Sequence, residues 1–229
     1  MQTGFDRSTE GTGNMAMQAA EAATPRSILT AARARLLADG YAGLSTRKIA
    51  QEAGVPLSQV HYHFGSKRGM VLALLEAENR RRLARQSSMY AQEALLSRRY
   101  EQACDFLEDD LESGYVRVLQ EMIAAGWSEP DIAEAARELL GGWYDLLTEV
   151  ATEAAETFGG LGPFSPHEVA TLIGNVFIGS EAMLLLGFDR HRFPIRSSLR
   201  RIGDVIRIAE QRAAPARPKK PGGATKASK

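Results

Sequence analysis

Apolar residues recur every three or four positions along most of the chain, and no stretch alternates apolar and polar residues as a half-buried strand does. The pattern therefore predicts an all-α protein. In the second half of the chain, clusters of glycine and proline divide the apolar pattern into segments. Later helices are predicted over 89–125, 129–158, 166–187 and 195–212. Gly141 and Gly142 lie inside one of them and indicate a kink or a break there.

The first helix is predicted to begin at Thr24 and to end at Asp39. Threonine caps free helix amides, Pro25 fits the first helical position, and Gly40 follows as a terminator. Residues 1–23 have no periodic apolar stripe, which predicts a disordered arm.

Residues 46–67 predict a helix, a glycine turn and a second short helix. The first of these helices covers 46–53, and Ser45 precedes it as a potential cap. Gly54 ends it, because glycine adopts the left-handed conformation without steric cost. Val55 and Val60 then supply apolar anchors for the second helix. The layout is typical of a motif that presents one helix to a DNA groove.

This order of segments resembles the DNA-binding domain of TetR-family transcriptional regulators. The segments RSILTAARARLLADGYAGLS and TRKIAQEAGV, followed by a short helix closing with YHFGSK, carry the resemblance from about Pro25 to Glu76. It implies a three-helix helix-turn-helix domain joined by a long helix to a larger helical ligand-binding and dimerisation domain. The predicted divisions are a disordered arm over 1–23, the DNA-binding domain over 24–67, the helical domain over 68–212 and a disordered basic tail over 213–229.

The resemblance also implies roles for side chains in the motif. Thr46 and Arg47 are placed beside the DNA backbone, with a guanine edge as the alternative for Arg47. Leu57, Ser58 and Gln59 are placed at the amino end of the second helix, where they carry the sequence preference. The predicted DNA contacts are completed by His61, Tyr62, His63 and Lys67.

One of these positions departs from the family pattern. His61 stands where the family usually has tyrosine, so a phosphate contact through its imidazole and a simple packing role are both left open. His61 and His63 are not predicted to bind a metal, because their i, i+2 spacing points them to different sides of a helix.

The charges are unevenly distributed, although the formal net charge of the chain is zero. Residues 25–67 contain six basic and two acidic side chains, whereas residues 68–212 contain 16 basic and 23 acidic ones. A basic motif on an acidic body fits a protein that binds DNA through the motif alone. The cluster of Arg80, Arg81, Arg82 and Arg85 leaves two interpretations open, a phosphate contact or a solvated helix face.

The body is predicted to hold an apolar chamber for a small-molecule effector. The residues predicted to contact this ligand, each with core packing as the alternative, are Tyr115, Trp143, Tyr144, Asn175, Phe177 and Met183. The resemblance places a homodimer contact on the last two helices, where a sustained apolar seam occurs. The predicted interface residues are Phe177, Glu181, Leu184, Ile195, Leu199, Ile202 and Ile206.

Several classes of protein are disfavoured. The apolar run over 169–187 is nearly long enough to cross a membrane, but Asn175 and Glu181 interrupt it. The single cysteine, Cys104, excludes an intramolecular disulfide, and no secretion signal begins the chain, so a cytoplasmic location is predicted. No catalytic motif stands out, and neither enzymatic activity nor a cofactor or metal is predicted.

The predicted function is that of a sequence-specific regulator, a repressor released from a palindromic operator in double-stranded DNA by a small apolar ligand. The alternatives are a ligand-independent regulator or an activator, and an architectural DNA-binding protein. The sequence identifies neither the ligand nor the operator.

Overall fold

The computed structural model describes the backbone of residues 8–188 and 192–213, and the side chains of residues 24–188 and 192–213. These residues form nine helices and no strand, so the all-α prediction is confirmed. The helices are α1 (Ser8–Gly43), α2 (Thr46–Ala53), α3 (Leu57–Phe64), α4 (Lys67–Tyr90), α5 (Leu96–Glu112), α6 (Tyr115–Gly126), α7 (Pro130–Phe158), α8 (Pro166–Leu185) and α9 (Ile195–Ala213).

Helix α1 begins earlier than predicted. The helical backbone starts at Ser8 and contains Pro25, so the predicted helix start at Thr24 is wrong, and disorder of the arm over 1–23 stays a prediction. The segment MAMQAAEAA consists of strong helix formers, which continue a helix without needing an apolar stripe. The predicted end is confirmed, because Gly40 has the non-helical backbone angles φ +69° and ψ 172°. Residues 1–7 and 214–229 lie outside the described residues.

The helix-turn-helix segment has the predicted bounds. Gly54 ends α2 in the left-handed conformation with φ +67°, and α4 begins at Lys67 with Ser66 as its cap. Ser66 Oγ accepts a hydrogen bond of 3.0 Å from the Gly69 amide. The predicted cap at Ser45 is wrong, because its side chain accepts no hydrogen bond from α2.

The second half contains one helix break more than predicted. The predicted helix over 89–125 is interrupted at Gly114, which separates α5 from α6 with φ +78°. A Cβ atom at Gly114 would lie 3.0 Å from two methyl carbons of Leu37, so the turn is shaped by packing against α1. Conversely, α7 continues through Gly141 and Gly142 without a break.

One apolar core joins the DNA-binding motif to the body. Ile49 and Val60 from the motif are buried in it with Met70 from α4 and Met122 from α6. Helix α4 therefore packs against both the motif and the body.

Among the described residues, one helix, Pro166–Leu185, is long and apolar enough by length and composition to cross a membrane. This helix is α8, and it packs against α7 along its length. Glu181 on α8 is buried between helices, where it accepts a hydrogen bond of 3.2 Å from Gln120 of α6.

Candidate functional site

Helix α3 is held by its apolar residues and presents its polar ones to solvent. Val60 is buried in the core, and Leu57 packs partly against the same core. Ser58, Gln59 and His61 are exposed. Tyr62 retains 76% of its exposure, which is high for a large aromatic side chain. The helix therefore offers hydrogen-bonding groups and an aromatic ring outside the protein, as a groove-binding helix requires.

The other predicted DNA contacts flank this helix. Arg47 is exposed on the first turn of α2, and Thr46 beside it is half-buried. His63 is half-buried, with its ring 5.0 Å from that of Tyr62 in an edge-on arrangement. The structure thus brings the predicted set to one region of the motif, but it places Leu57 and His63 more deeply than their neighbours.

Two further cations near the motif are engaged within the protein. Arg35 and Lys48 both pair with Asp39, and the Lys48 Nζ lies 3.2 Å from the Asp39 carboxylate. The guanidinium of Arg35 and the ammonium of Lys48 hold the pKa of Asp39 below its ordinary value. Arg47 has no such partner among the described side chains, and it is therefore the cation on α2 that is available to a phosphate.

Lys67 is held over an aromatic ring at the start of α4. Its Nζ lies 4.4 Å from the centroid of the Tyr41 ring, a cation–π distance. The Tyr41 hydroxyl donates a hydrogen bond of 2.6 Å to Glu129, at the start of α7, and its amide donates one of 3.1 Å to Glu121 of α6. Burial, followed by the hydrogen bond to Glu129, raises the pKa of Tyr41. Tyr41 therefore joins a predicted phosphate-binding side chain to two helices of the body.

His61 has a hydrogen bond that limits its chemistry. Its Nδ1 lies 3.1 Å from the carbonyl oxygen of Gly65, so Nδ1 carries a proton and donates it. In a neutral imidazole the other ring nitrogen, Nε2, is then an acceptor. A hydrogen bond from Nε2 to a phosphate thus requires the charged imidazolium.

The body contains a partly open cavity of about 60 Å³ between α4, α5, α6, α7 and α8. Its walls are mainly apolar and aromatic, with polar groups from α4, α5 and α8. The aromatic lining residues are Tyr90, Tyr115, Trp143 and Phe177, and the charged ones are Arg82, Asp110 and Glu181. Space of this volume holds a few waters or a small chemical group, and it is smaller than a typical pocket for an organic ligand.

The charged side chains on the α4 and α5 side of the cavity are paired. Arg82 and Arg85 both bind the carboxylate of Asp110, and Arg85 also lies 4.0 Å from Asp109. The Arg82 guanidinium stacks on the Tyr115 ring. Arg82 and Arg85 therefore form neither a phosphate contact nor a solvated helix face, because both side chains are paired with carboxylates of α5 in the body.

The structure places three of the six predicted ligand contacts on the cavity wall. Tyr115, Trp143 and Phe177 line it. Tyr144 and Asn175 lie outside its lining and bind each other through a hydrogen bond of 2.7 Å. Met183 is exposed on the opposite face of α8. The apolar character of these residues does not show which of them lie on the inward-facing sides of α7 and α8.

The predicted dimer residues lie mostly inside the subunit. Phe177, Leu184 and Leu199 are buried in one cluster, against which Ile195, Ile202 and Ile206 pack. Glu181 faces the cavity. Helix α9 is also tied to α5 of its own chain, for example by Arg200 Nη2 at 2.7 Å from Asp105. The seam predicted to join two subunits is thus covered by α5 within one subunit.

A different face of these two helices carries exposed apolar side chains. On α8 these are Leu172, Val176 and Met183, and on α9 they are Val205 and Ile208. A groove beside them is lined by Val176, Ser180, Phe193, Pro194, Ser198 and Ile202. The exposed apolar side chains and the groove together are called the outer α8–α9 face below.

The comparison with known proteins agrees with the geometry of the motif. Residues 28–74 match the model of the family described as bacterial regulatory proteins, tetR family. The DNA-binding segment of this chain therefore belongs to the TetR family. The match covers α2 and α3 completely, with parts of α1 and α4. No curated protein sequence matches the chain.

Solved structures extend the likeness to most of the chain. A TetR transcription regulator from Haloarcula marismortui aligns with a TM-score of 0.68 at 18% identity, covering 82% of this chain and 98% of that one. FadR from Bacillus subtilis, in complex with stearoyl-CoA, has a TM-score of 0.65 at 16% identity, covering 78% and 96%. A transcriptional regulator from Saccharomonospora viridis, in complex with choline, has a TM-score of 0.66 at 20% identity, covering 80% and 95%. At these identities the likeness shows the fold.

Sequence reasoning missed the polar members of the cavity on α4 and α5. The sequence gives no signal that Asp110 pairs with Arg82, because the two residues are 28 positions apart. Glu181 stands out in the sequence as a polar residue in an apolar run, but the sequence does not show that its side chain lines the cavity. No group of three metal-ligating side chains occurs in the part of the chain that the structure describes.

Proposed function

We propose that this TetR-family regulator binds a palindromic operator as a homodimer and represses transcription until a small ligand releases it. The single observation that carries the proposal is α3, a helix anchored by Val60 whose Ser58, Gln59 and Tyr62 face solvent. Two copies of α3, presented about 34 Å apart by a two-fold symmetric dimer, would enter successive major grooves.

Ligand release is proposed from the position of the cavity. Arg82 lines the cavity and Met70 is buried against the DNA-binding motif, and both belong to α4. Twelve residues of helix place them about 18 Å apart. A ligand larger than the cavity must displace α4 or its neighbours, and it favours the dimer shape that accommodates it. Relatives crystallised with stearoyl-CoA and with choline support a ligand-responsive body.

The remaining parts of the proposal follow from this role. A cytoplasmic location would give the protein access to DNA. The body is proposed to bind its ligand without converting it, and we propose no cofactor. The boundaries 24–67 and 68–212 are proposed as the two functional domains, although they share one core.

Substitutions at two positions of the motif should affect DNA binding differently. We expect Gln59→Ala to relax the preference at one base position by about 1–3 kcal/mol, because glutamine reads adenine edges. Lys67→Ala should weaken binding to all sequences similarly and reduce the salt slope by about one unit, because a phosphate contact carries no sequence information. Fluorescence anisotropy with operator variants, selected first from genomic fragments, measures both.

The same assay tests the function. A scrambled duplex of equal length is the control, and an exposed glutamine outside α3, Gln51 of α2, supplies the matched variant Gln51→Ala. Equal affinity for the inverted repeat and the scrambled duplex would exclude sequence-specific regulation and favour an architectural protein. The assigned roles would be contradicted if Gln59→Ala weakened binding to all sequences equally and Lys67→Ala changed the preference at one base position.

His61 offers a phosphate contact through Nε2, because Nδ1 is committed to the Gly65 carbonyl. His61→Phe keeps an aromatic ring but has no ring nitrogen, so we expect it to weaken operator binding. His61→Tyr, whose hydroxyl can donate to a phosphate, should bind the operator more tightly than His61→Phe. Equal affinities of these two variants in the anisotropy assay would exclude the phosphate contact.

A further inference from the structure

The cavity in the body contains one acidic side chain that no cation balances. Glu181 retains 8% of its exposure, and its one described hydrogen bond comes from Gln120 to Oε2. The other described charged residues that line the cavity, Arg82 and Asp110, are paired with each other. Glu181 therefore lies in an apolar environment without an ion-pair partner of its own.

This arrangement has an energetic cost that a ligand can remove. A buried carboxylate without a cation is unfavourable when ionised. Burial raises the pKa of Glu181 to about 7, against lesser opposing effects of Gln120 and Arg82. The titratable groups that face it from the packed helices are Arg82 and Tyr90 of α4, Asp110 of α5 and Tyr115 of α6. The α7 wall contributes Leu139, Leu140, Trp143 and Leu147, none of which titrates.

The remaining walls favour a positive charge with an apolar body. Trp143 and Phe177 supply aromatic rings to the wall, and aromatic rings attract cations through their negative quadrupoles, whereas the Tyr115 ring is already stacked by Arg82. The buried Gln86 Oε1, on a residue lining the same cavity, accepts no hydrogen bond within the described structure. An acidic ligand would instead meet Glu181 directly, while Arg82 is held by Asp110 and Tyr115.

We propose that the effector of this regulator is an organic cation, an amine or quaternary ammonium with an aromatic or aliphatic substituent, whose charge binds Glu181. The inference rests on the proposed ligand-responsive function and names the class of ligand for that cavity. The charged head occupies the existing space, and the substituent requires the walls to open.

The test uses a cation and its neutral isostere on the full-length protein. Phenyltrimethylammonium and tert-butylbenzene have nearly the same shape and differ in the charge of one atom. The chain has two tryptophans, so Trp127→Phe leaves Trp143 on the cavity wall as the only indole reporter. Saturable quenching of Trp143 fluorescence then measures binding, and phenylacetate supplies the anionic probe.

We expect phenyltrimethylammonium to bind at least tenfold more tightly than tert-butylbenzene or phenylacetate. Glu181→Gln should remove this preference, whereas Glu156→Gln, at an exposed glutamate of α7, should leave it unchanged. Below its pKa the carboxyl is protonated and neutral, so affinity for the cation should fall by about tenfold from pH 8 to pH 6. The quaternary probe does not titrate, and the pH dependence should disappear in Glu181→Gln.

Three outcomes overturn the inference: no saturable quenching by the cation, equal or tighter binding of the isostere or phenylacetate, or an unchanged preference in Glu181→Gln. A separate anisotropy measurement with the inverted repeat tests the proposed DNA-binding function independently of the ligand class. A protein that binds this DNA but not the cation contradicts the ligand class alone. A protein that binds the cation but no inverted repeat contradicts the proposed function alone.

Discussion

Replacing Gly69 by alanine is expected to destabilise the protein by about 1–3 kcal/mol, as overpacking of a rigid site does. A Cβ atom at position 69 would lie 2.2 Å from the carbonyl oxygen of Phe64, inside van der Waals contact. The atom it meets belongs to the backbone at the end of α3, and it cannot be avoided by rotating a side chain. The connection between α3 and α4 must therefore shift.

The shift should affect DNA binding as well as folding. Ser66 Oγ accepts the Gly69 amide, so the same turn sets both the cap of α4 and the direction of α3. We expect Gly69→Ala to lower the melting temperature by about 2–4 °C per kcal/mol, measured by calorimetry at one fixed protein concentration. Operator affinity, measured below the melting range, should fall at the same time.

Gly141 provides the matched control. It lies inside continuous α7, and a Cβ atom there would have no neighbour within 4 Å. Gly141→Ala should therefore stabilise the helix by about 0.5–1 kcal/mol through its higher helix propensity. A melting temperature for Gly69→Ala equal to or above that of the unaltered protein would show that the α3–α4 turn tolerates a side chain.

The bounds of the motif were predictable because the signals are local. Gly54 ends α2 through its own backbone angles, and Val60 anchors α3 within the helix that it stabilises. The break at Gly114 was not predictable in this way. No proline accompanies it, and its turn is shaped by Leu37, which lies far away in the sequence. Residues within a helix predict its ends, whereas a break caused by packing against a distant residue is not visible in the local sequence.

The site in the body shows the same limit. The seam of Ile195, Leu199, Ile202 and Ile206 correctly indicates a buried face on α9. Periodicity does not identify the helix that covers a face, and the cover is α5 of the same chain. Arg82 shows the converse error, because a charged residue is expected in solvent unless its partner is known. Asp110 becomes that partner only when α4 and α5 pack together.

The outer α8–α9 face supports the largest expected loss of function. Val205 retains 66% of its exposure, and Ile208 lies one helical turn away on the same exposed stripe. Apolar side chains on two adjacent helices favour a self-complementary contact with a second copy of the chain. We therefore expect Val205→Glu, which adds one acidic charge to this face in each copy, to convert the proposed dimer into a monomer.

Loss of the dimer removes the second DNA contact. A linked pair of sites gains about 10²–10⁴ in overall affinity over one site, so Val205→Glu should weaken binding to the inverted repeat by at least about 100-fold. Binding to a single half-site should change little, because α3 lies in another domain. Sedimentation velocity gives the oligomeric state, and anisotropy gives the affinities. The control is Trp127→Glu at the turn between α6 and α7, where the side chain is 83% exposed and outside the outer α8–α9 face. If Val205→Glu remains dimeric and keeps its operator affinity while Trp127→Glu loses both, the subunits join through another surface.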